Sequence, residues 1–142
     1  MVTTRKASPE DFQRVVSFYR HNDYGPPIHP ADVIVVTENE GVLCAAVRIC
    51  QEHGVLLLRG MRVCEGMRRQ GIGTRLLQAV EPVVGDRQCF CIPHRYLGSF
   101  YGRIGFVEIE GFAAPAFLGE RCAEYRRKHG RDVIIMRRPG DA

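Results

Sequence analysis

No apolar run in this sequence reaches the ~18 residues of a membrane-spanning helix, so no membrane partner is expected. There is no long basic stretch and no ladder of aromatics interleaved with arginine. The arginine pairs at 68–69, 126–127 and 137–138 are scattered, and the net charge is a modest +4. Nucleic acid is therefore not an expected partner, whereas a small anion fits. Internal repeats and low-complexity segments are also lacking. For the six cysteines, Cys44, Cys50, Cys64, Cys89, Cys91 and Cys122, no preceding signal peptide is expected. Cys89-x-Cys91 has no second pair to complete a zinc spacing. Reduced packing cysteines, no bound metal and a cytoplasmic location are the expectation.

What is present is ordinary for a globular chain. Hydrophobic residues make up 45% and charged residues 25% of 142 positions. A single domain spanning 1–142 with one core is the simplest organisation.

Along the chain, Val2 to Lys6 reads as a first strand. Ser8-Pro9-Glu10-Asp11 has the residues of a helix start, with Ser as N-cap, Pro at the first helical position and an acid three residues on. The helix that follows places Phe12, Val15, Val16 and Tyr19 on one face. Tyr24 to Pro30 is loop by composition. Three strands, 32–37, 42–50 and 55–63, are separated by turns at Glu38–Gly41 and Gln51–Gly54, the pattern of an antiparallel meander. A helix is expected from Gly73 to Val84, loosened near its end by Pro82. A short strand at 89–92 comes next, in parallel pairing across the helix. A short helix from Leu97 to Ile104 stops at Gly105. A strand at 106–109, a helix from Pro115 to His129 with Phe117, Leu118, Cys122 and Tyr125 inward, and a last strand at 132–136 complete the order. Pro139 to Ala142 reads as a frayed tail.

The stretch Arg68-Arg69-Gln70-Gly71-Ile72-Gly73-Thr74 joins the third meander strand to a helix. A helix start offers unpaired N–H donors and partial positive charge, which together bind phosphate. Two arginines upstream add charge-assisted donors. The spacing is neither the dinucleotide glycine fingerprint nor a nucleotide P-loop with its Lys-Ser/Thr pair.

With this turn placed after the fourth strand of a β-α-β-β-β-α-β-α-β-α-β order, the chain resembles the GNAT family of acetyl-CoA-dependent N-acetyltransferases. Arg68 to Thr74 is similar to the family's pyrophosphate signature, Arg/Gln-x-x-Gly-x-Gly/Ala. Phe100-Tyr101-Gly102-Arg103-Ile104-Gly105-Phe106 is similar to its later Phe/Leu-Tyr-x-x-x-Gly-Phe. The resemblance covers about residues 2 to 137. It implies a single-domain α/β (α+β) fold, with a mixed, mostly antiparallel sheet of six to seven strands flanked by helices. The fourth and fifth strands would splay to form a cofactor slot.

The resemblance also implies roles. Acetyl-CoA is the cosubstrate, with its pyrophosphate on Arg68, Arg69, Gln70, Gly71, Ile72, Gly73 and Thr74. Its pantetheine arm pairs with the edge Met61, Arg62 and Val63, where a backbone N–H would stabilise the oxyanion. Tyr101 lies near the sulfur as proton donor to the leaving thiolate. Glu52 and His53, in the turn before the fourth strand, are the candidate bases; Glu65, just after it, is a third. Some members of the family need no dedicated base.

Departures from the family pattern matter. His94 stands where an asparagine often contacts the cofactor arm, and Glu65 replaces a proline after the fourth strand. The Tyr24–Pro30 loop replaces a second helix that commonly covers the acceptor, which leaves the acceptor site open. The helix at 115–129 is an acceptor wall or a homodimer face.

The function implied is acetyl transfer to a primary amine, with a small-molecule acceptor preferred. Arg59 and Met61 are expected on one face of the fourth strand and Arg62 on the other. Either arginine is a candidate for an acceptor carboxylate, or for snorkelling at a strand end. Alternatives are a non-catalytic CoA-binding module, a protein N-terminal or lysine acetyltransferase, and a plain phosphate-binding protein.

Overall fold

The computed structural model describes residues 1–140. The chain forms two compact units, Met1–Gly85 and Asp86–Ala142; of the expected tail, Asp141 and Ala142 lie outside the described residues.

The first unit contains β1 (Val2–Lys6), α1 (Phe12–His21), β2 (Val33–Asn39), β3 (Val42–Glu52), β4 (Val55–Val63) and α2 (Ile72–Val84). Its strands lie in the order β1-β2-β3-β4, every pairing antiparallel. The meander is the one expected, with tighter turns. Glu40-Gly41 (φ 51° and 79°) and His53-Gly54 (φ 52° and 76°) each have both central residues in the left-handed region. This is the two-residue type I′ geometry, whose twist matches that of the flanking strands. Only two residues are needed, so Glu38 and Asn39 remain in β2 and Glu52 remains in β3 rather than in a four-residue turn.

The helix start reads as expected. The backbone N–H and hydroxyl of Ser8 both donate to Asp11 Oδ2, at 2.8 and 3.0 Å, and the capping box is complete. A 3-10 turn over Pro9–Asp11 leads into α1. The buried stripe of α1 is Val15, Phe18 and Tyr19, whereas Phe12 and Val16 are only partly covered. The core contact is thus rotated slightly from the expected face. These residues pack on Ile34, Val36 and Ala46. Val35 and Val47 point to the opposite side of their strands and are fully buried too. In α2, Ile72, Leu76, Leu77, Val80 and Val84 form the buried face, and Pro82 is accommodated inside the helix without ending it.

The second unit contains β5 (Cys89–Cys91), α3 (Gly98–Gly102), β6 (Val107–Ile109), α4 (Ala116–His129) and β7 (Ile135–Arg138). β7 is central, antiparallel to β5 on one side and to β6 on the other. It begins three residues later than the expected strand at 132–136 and includes Arg137 and Arg138. Pro93 is the reason: it has no N–H for the ladder. Beyond it, pairing is reduced to a single bridge between His94 and Val133, flanked by one bond from the Ile134 N–H to the Pro93 carbonyl and one from the Arg95 N–H to the Asp132 carbonyl. The short helix is likewise divided, into a 3-10 turn at Arg95–Leu97 and α3. α4 buries only Leu118 and Cys122. Phe117 and Tyr125, expected inward, are partly covered, each ring lying under an arginine (Arg121 at 5.5 Å, Arg131 at 5.4 Å).

All six cysteines are free thiols, five of them buried. Among the described residues, no helix is long and apolar enough to cross a membrane.

Candidate functional site

The glycine turn is built from backbone conformation. After β4, a 3-10 turn at Glu65–Met67 ends with Arg68 extended (φ −71°, ψ 156°). Arg69 (φ 65°) and Gly71 (φ 77°) are both left-handed, and α2 begins at Ile72. Gly71 is required by that φ and not by crowding, since a Cβ there would meet nothing within 4 Å. Among the described residues, the N–H groups of Gln70, Gly71, Ile72 and Gly73 make no backbone hydrogen bond. No acid stands in the first turn of α2.

Side chains fix the loop from outside. Arg68 Nε donates to the Val63 carbonyl (3.1 Å) and Gln70 Nε2 to that of Gly66 (3.3 Å). Buried Ile72 anchors the helix start, while Arg68, Arg69, Gln70 and Gly71 are exposed. Open donors at the positive end of a 13-residue helix, flanked by two arginines, form an anion cradle that suits a pyrophosphate.

β4 carries a second special feature. Arg59 pairs with Arg48, but Arg62 pairs with Ala46, so Gly60 and Met61 together face the single residue Val47. Gly60 is left-handed (φ 68°); the arrangement is a β-bulge with glycine at its first position. The Tyr19 hydroxyl donates to the Gly60 carbonyl at 2.8 Å. A Cβ on Gly60 would come within 3.1 Å of the Tyr19 oxygen and of Tyr24 Cζ, and 3.2 Å of Arg48 Cδ. Glycine is therefore required here by both conformation and space.

The bulge reverses the side-chain alternation expected for β4. Arg48 and Ala46 are two residues apart and share a face, so their partners Arg59 and Arg62 share it too. Simple alternation predicts Arg59 and Met61 on one face and Arg62 on the other; the extra residue shifts the period by one, so Arg59 shares its face with Arg62 instead.

On that shared face lies a charged cluster that sequence reasoning missed. Arg48 is 4% exposed. Its Nε and Nη2 donate to Asp32 Oδ2 at 3.0 and 2.8 Å, and its Nη1 donates to the Tyr24 hydroxyl at 2.5 Å. The Tyr24 ring lies 4.6 Å from that of Tyr19, with the guanidinium carbons of Arg48 and Arg62 at 5.7 and 5.2 Å. Burial pushes the Tyr19 phenol well above its usual pKa, so it remains a donor. The available signal was Arg48 itself, a charge inside the apolar run Val47-Arg48-Ile49 that demands a buried partner.

The other expected site residues are placed as follows. Glu52, at the end of β3, holds Arg59 by a 3.0 Å ion pair, both about a quarter exposed. His53 is exposed in the turn, as is Glu65 after β4. Met61, Arg62 and Val63 are partly buried along β4. In the second unit, His94 is exposed, with its ring stacked on Tyr96 at 5.4 Å. Tyr101 on α3 is 7% exposed, edge-on to Phe100 (5.0 Å) and Phe106 (6.2 Å). A groove of about 590 Å³ beside α1, lined among others by Gln13, Phe18 and Val42, contains none of the expected site residues.

A meander with a bulged last strand, followed directly by a glycine turn that opens a helix, defines an α/β protein. The chain belongs to the acetyltransferase (GNAT) domain family, whose model matches residues 30–108, more than half of the sequence. Solved structures share the fold over essentially the whole chain. N-acetylglutamate synthase from Neisseria gonorrhoeae, complexed with coenzyme A and N-acetyl-glutamate, is 16% identical at a TM-score of 0.71 over 100% of this chain, which spans 36% of that one. The ribosomal-protein-S18-alanine N-acetyltransferase from Escherichia coli is 17% identical at 0.70, covering 100% of this chain and 96% of that one. An acyl-CoA N-acyltransferase from Pseudomonas aeruginosa is 17% identical at 0.67, covering 97% and 99%. No curated protein matches the sequence. The α/β fold class expected from the motifs is thus the observed one.

Proposed function

We propose that this protein transfers an acetyl group from acetyl-CoA to the primary amine of a small molecule, by direct attack of the amine on the thioester. The observation that carries the reading is the cradle. Among the described residues, the N–H groups of Gln70, Gly71, Ile72 and Gly73 have no backbone partner, Arg68 and Arg69 stand beside them, and the bulged strand lies immediately upstream.

In this reading the cradle, continued by Thr74, holds the pyrophosphate. The backbone of Met61, Arg62 and Val63 pairs with the amides of the pantetheine arm, and an N–H of this edge stabilises the oxyanion. The amine nitrogen forms its bond to the carbonyl carbon and the carbon–sulfur bond breaks. Tyr101 gives its proton to the departing thiolate. The proton lost by the amine leaves through Glu52, His53 or water. Glu52 is held in place by its 3.0 Å ion pair with Arg59. His94 contributes a hydrogen bond to the cofactor arm. The likeness to the Neisseria synthase crystallised with coenzyme A supports the choice of cosubstrate.

The test is thiol release from acetyl-CoA across a panel of amines. Turnover with at least one small amine is expected. Tight CoA binding with no turnover on any acceptor would instead identify a binding module, and equal competition by ATP would identify a general phosphate site.

A further inference from the structure

Three arginines share the face of β3 and β4 that carries the bulge. Arg48 is neutralised by Asp32 and Arg59 by Glu52. Arg62 is the exception. It is half-buried, and among the described residues its one polar contact is a 3.0 Å bond from Nη1 to the Met61 carbonyl. No carboxylate lies within ion-pair distance of it among the described residues. Its guanidinium is held 5.2 Å from the Tyr24 ring centroid, and Tyr24 is itself tied down by Arg48.

A guanidinium has five donors in a planar fork, and one bond to a carbonyl leaves most of them unused. A partly desolvated cation without a counter-ion is costly unless a ligand completes it. Stacking on a fixed aromatic face removes much of the side chain's freedom, which prepares the fork for a planar anion. The position is also informative, because Arg62 follows Met61, the second residue of the bulge, along the proposed acyl-transfer edge.

We propose that Arg62 recognises the acceptor by binding its carboxylate, so that the acceptor class is a compact amine bearing an acid group, of the amino acid type. This rests on the acetyl-transfer reading above. It discards Arg59 for the role, because Glu52 already occupies that guanidinium.

The experiment measures thiol release by the full chain from acetyl-CoA with α-amino acids and with their α-carboxamides, for wild type, Arg62→Met and Arg62→Lys. Wild type is expected to favour the acids in kcat/KM by roughly 10- to 100-fold, the scale of a charge-assisted hydrogen-bonded pair. Arg62→Met should erase that preference, and Arg62→Lys, which keeps the charge but loses the fork, should retain part of it. Carboxamides used as well as acids by wild type, or an acid preference that survives Arg62→Met, would overturn the proposal. So would a rise in the acetyl-CoA KM of Arg62→Met as large as its loss of acid preference, since the anion would then be a cofactor phosphate. A preference for peptide N-termini over free amino acids would also overturn it. No release from any acceptor overturns the acetyl-transfer reading itself, and this proposal with it.

Discussion

The Tyr19 hydroxyl on α1 donates to the carbonyl of Gly60 in the β4 bulge, at 2.8 Å and across 41 positions of sequence. Gly60 C=O and Met61 N–H belong to one planar trans peptide and point in opposite directions. Holding the carbonyl therefore aims the N–H. A residue of the helix sets the direction of a backbone donor on the strand edge proposed to meet the thioester.

Tyr19→Phe is expected to lower kcat about tenfold while changing the KM for acetyl-CoA little, because misaiming an oxyanion donor acts on the transition state. The unsatisfied carbonyl should cost about 1–3 kcal/mol, a melting temperature lower by several degrees. Steady-state kinetics and thermal melts check the two effects separately. A stability loss with unaltered kcat would show that the hydroxyl only supports the fold.

Gly71→Glu tests the cradle. Its Cβ would project into open space, so the structural cost is mainly the left-handed conformation, about 1 kcal/mol. Gly71→Ala shares that cost and is the control. The carboxylate of Gly71→Glu should abolish acetyl-CoA binding in calorimetry, as should Gly73→Glu, while Gly71→Ala retains it. Binding retained by both carboxylate variants would remove the cradle from the pyrophosphate.

These two sites differ in how far they could be read from residues alone. The cradle is local: Arg68 to Thr74 are contiguous, and a glycine turn between strand and helix has few conformations. The hairpins and the capping box at Ser8 are local in the same sense. The bulge depends on Tyr19, Tyr24 and Arg48 crowding Gly60 from distant segments, and only the register reveals it. Missing it placed Arg62 on the wrong face. The late start of β7 has a similar origin, since the interruption comes from Pro93 on the partner strand and not from residues 132–136. Asp32 escaped notice because its partner, Arg48, was submerged in an apolar strand.

The Asp11 carboxyl is held well below the usual range, first by the hydrogen bonds from Arg5 and then by that from the Ser8 backbone. A carboxylate with a depressed folded-state pKa contributes stability above its unfolded value of about 3.9. That contribution is lost as pH falls toward the folded value. Asp11→Asn should therefore lower the urea midpoint at pH 7 while narrowing the difference between pH 7 and about pH 3. Urea titrations at the two pH values measure this; an unchanged pH dependence would assign the acid sensitivity to other carboxylates, of which Glu38, also lowered chiefly by Arg5, is the first to test.

Tyr101→Phe removes the proposed proton donor and keeps the ring against Phe100 and Phe106. General acid catalysis contributes roughly 10²–10⁴-fold, so kcat should fall by at least about tenfold and far more than the acetyl-CoA KM rises. Measuring kcat with an acyl donor whose thiol is more acidic discriminates further. A better leaving group needs less proton donation, so the deficit of the variant should shrink. An unaltered kcat with acetyl-CoA would take the role from Tyr101.

The ion pair of Arg48 with Asp32 has both side chains nearly buried, at 5% and 6% exposure. Removing one partner from such a pair leaves a desolvated charge and costs about 3–5 kcal/mol. Asp32→Ala should therefore be severely destabilised in urea unfolding. The double variant Asp32→Ala with Arg48→Met should recover a large part of the loss, because no lone charge remains inside. Recovery of stability need not bring back activity. Arg48 also holds the Tyr24 hydroxyl, and the Tyr24 ring supports both Tyr19 and Arg62. The double variant is expected to fold but to discriminate poorly between acid-bearing and neutral acceptors. If it folds with wild-type acceptor preference, the cluster serves stability alone.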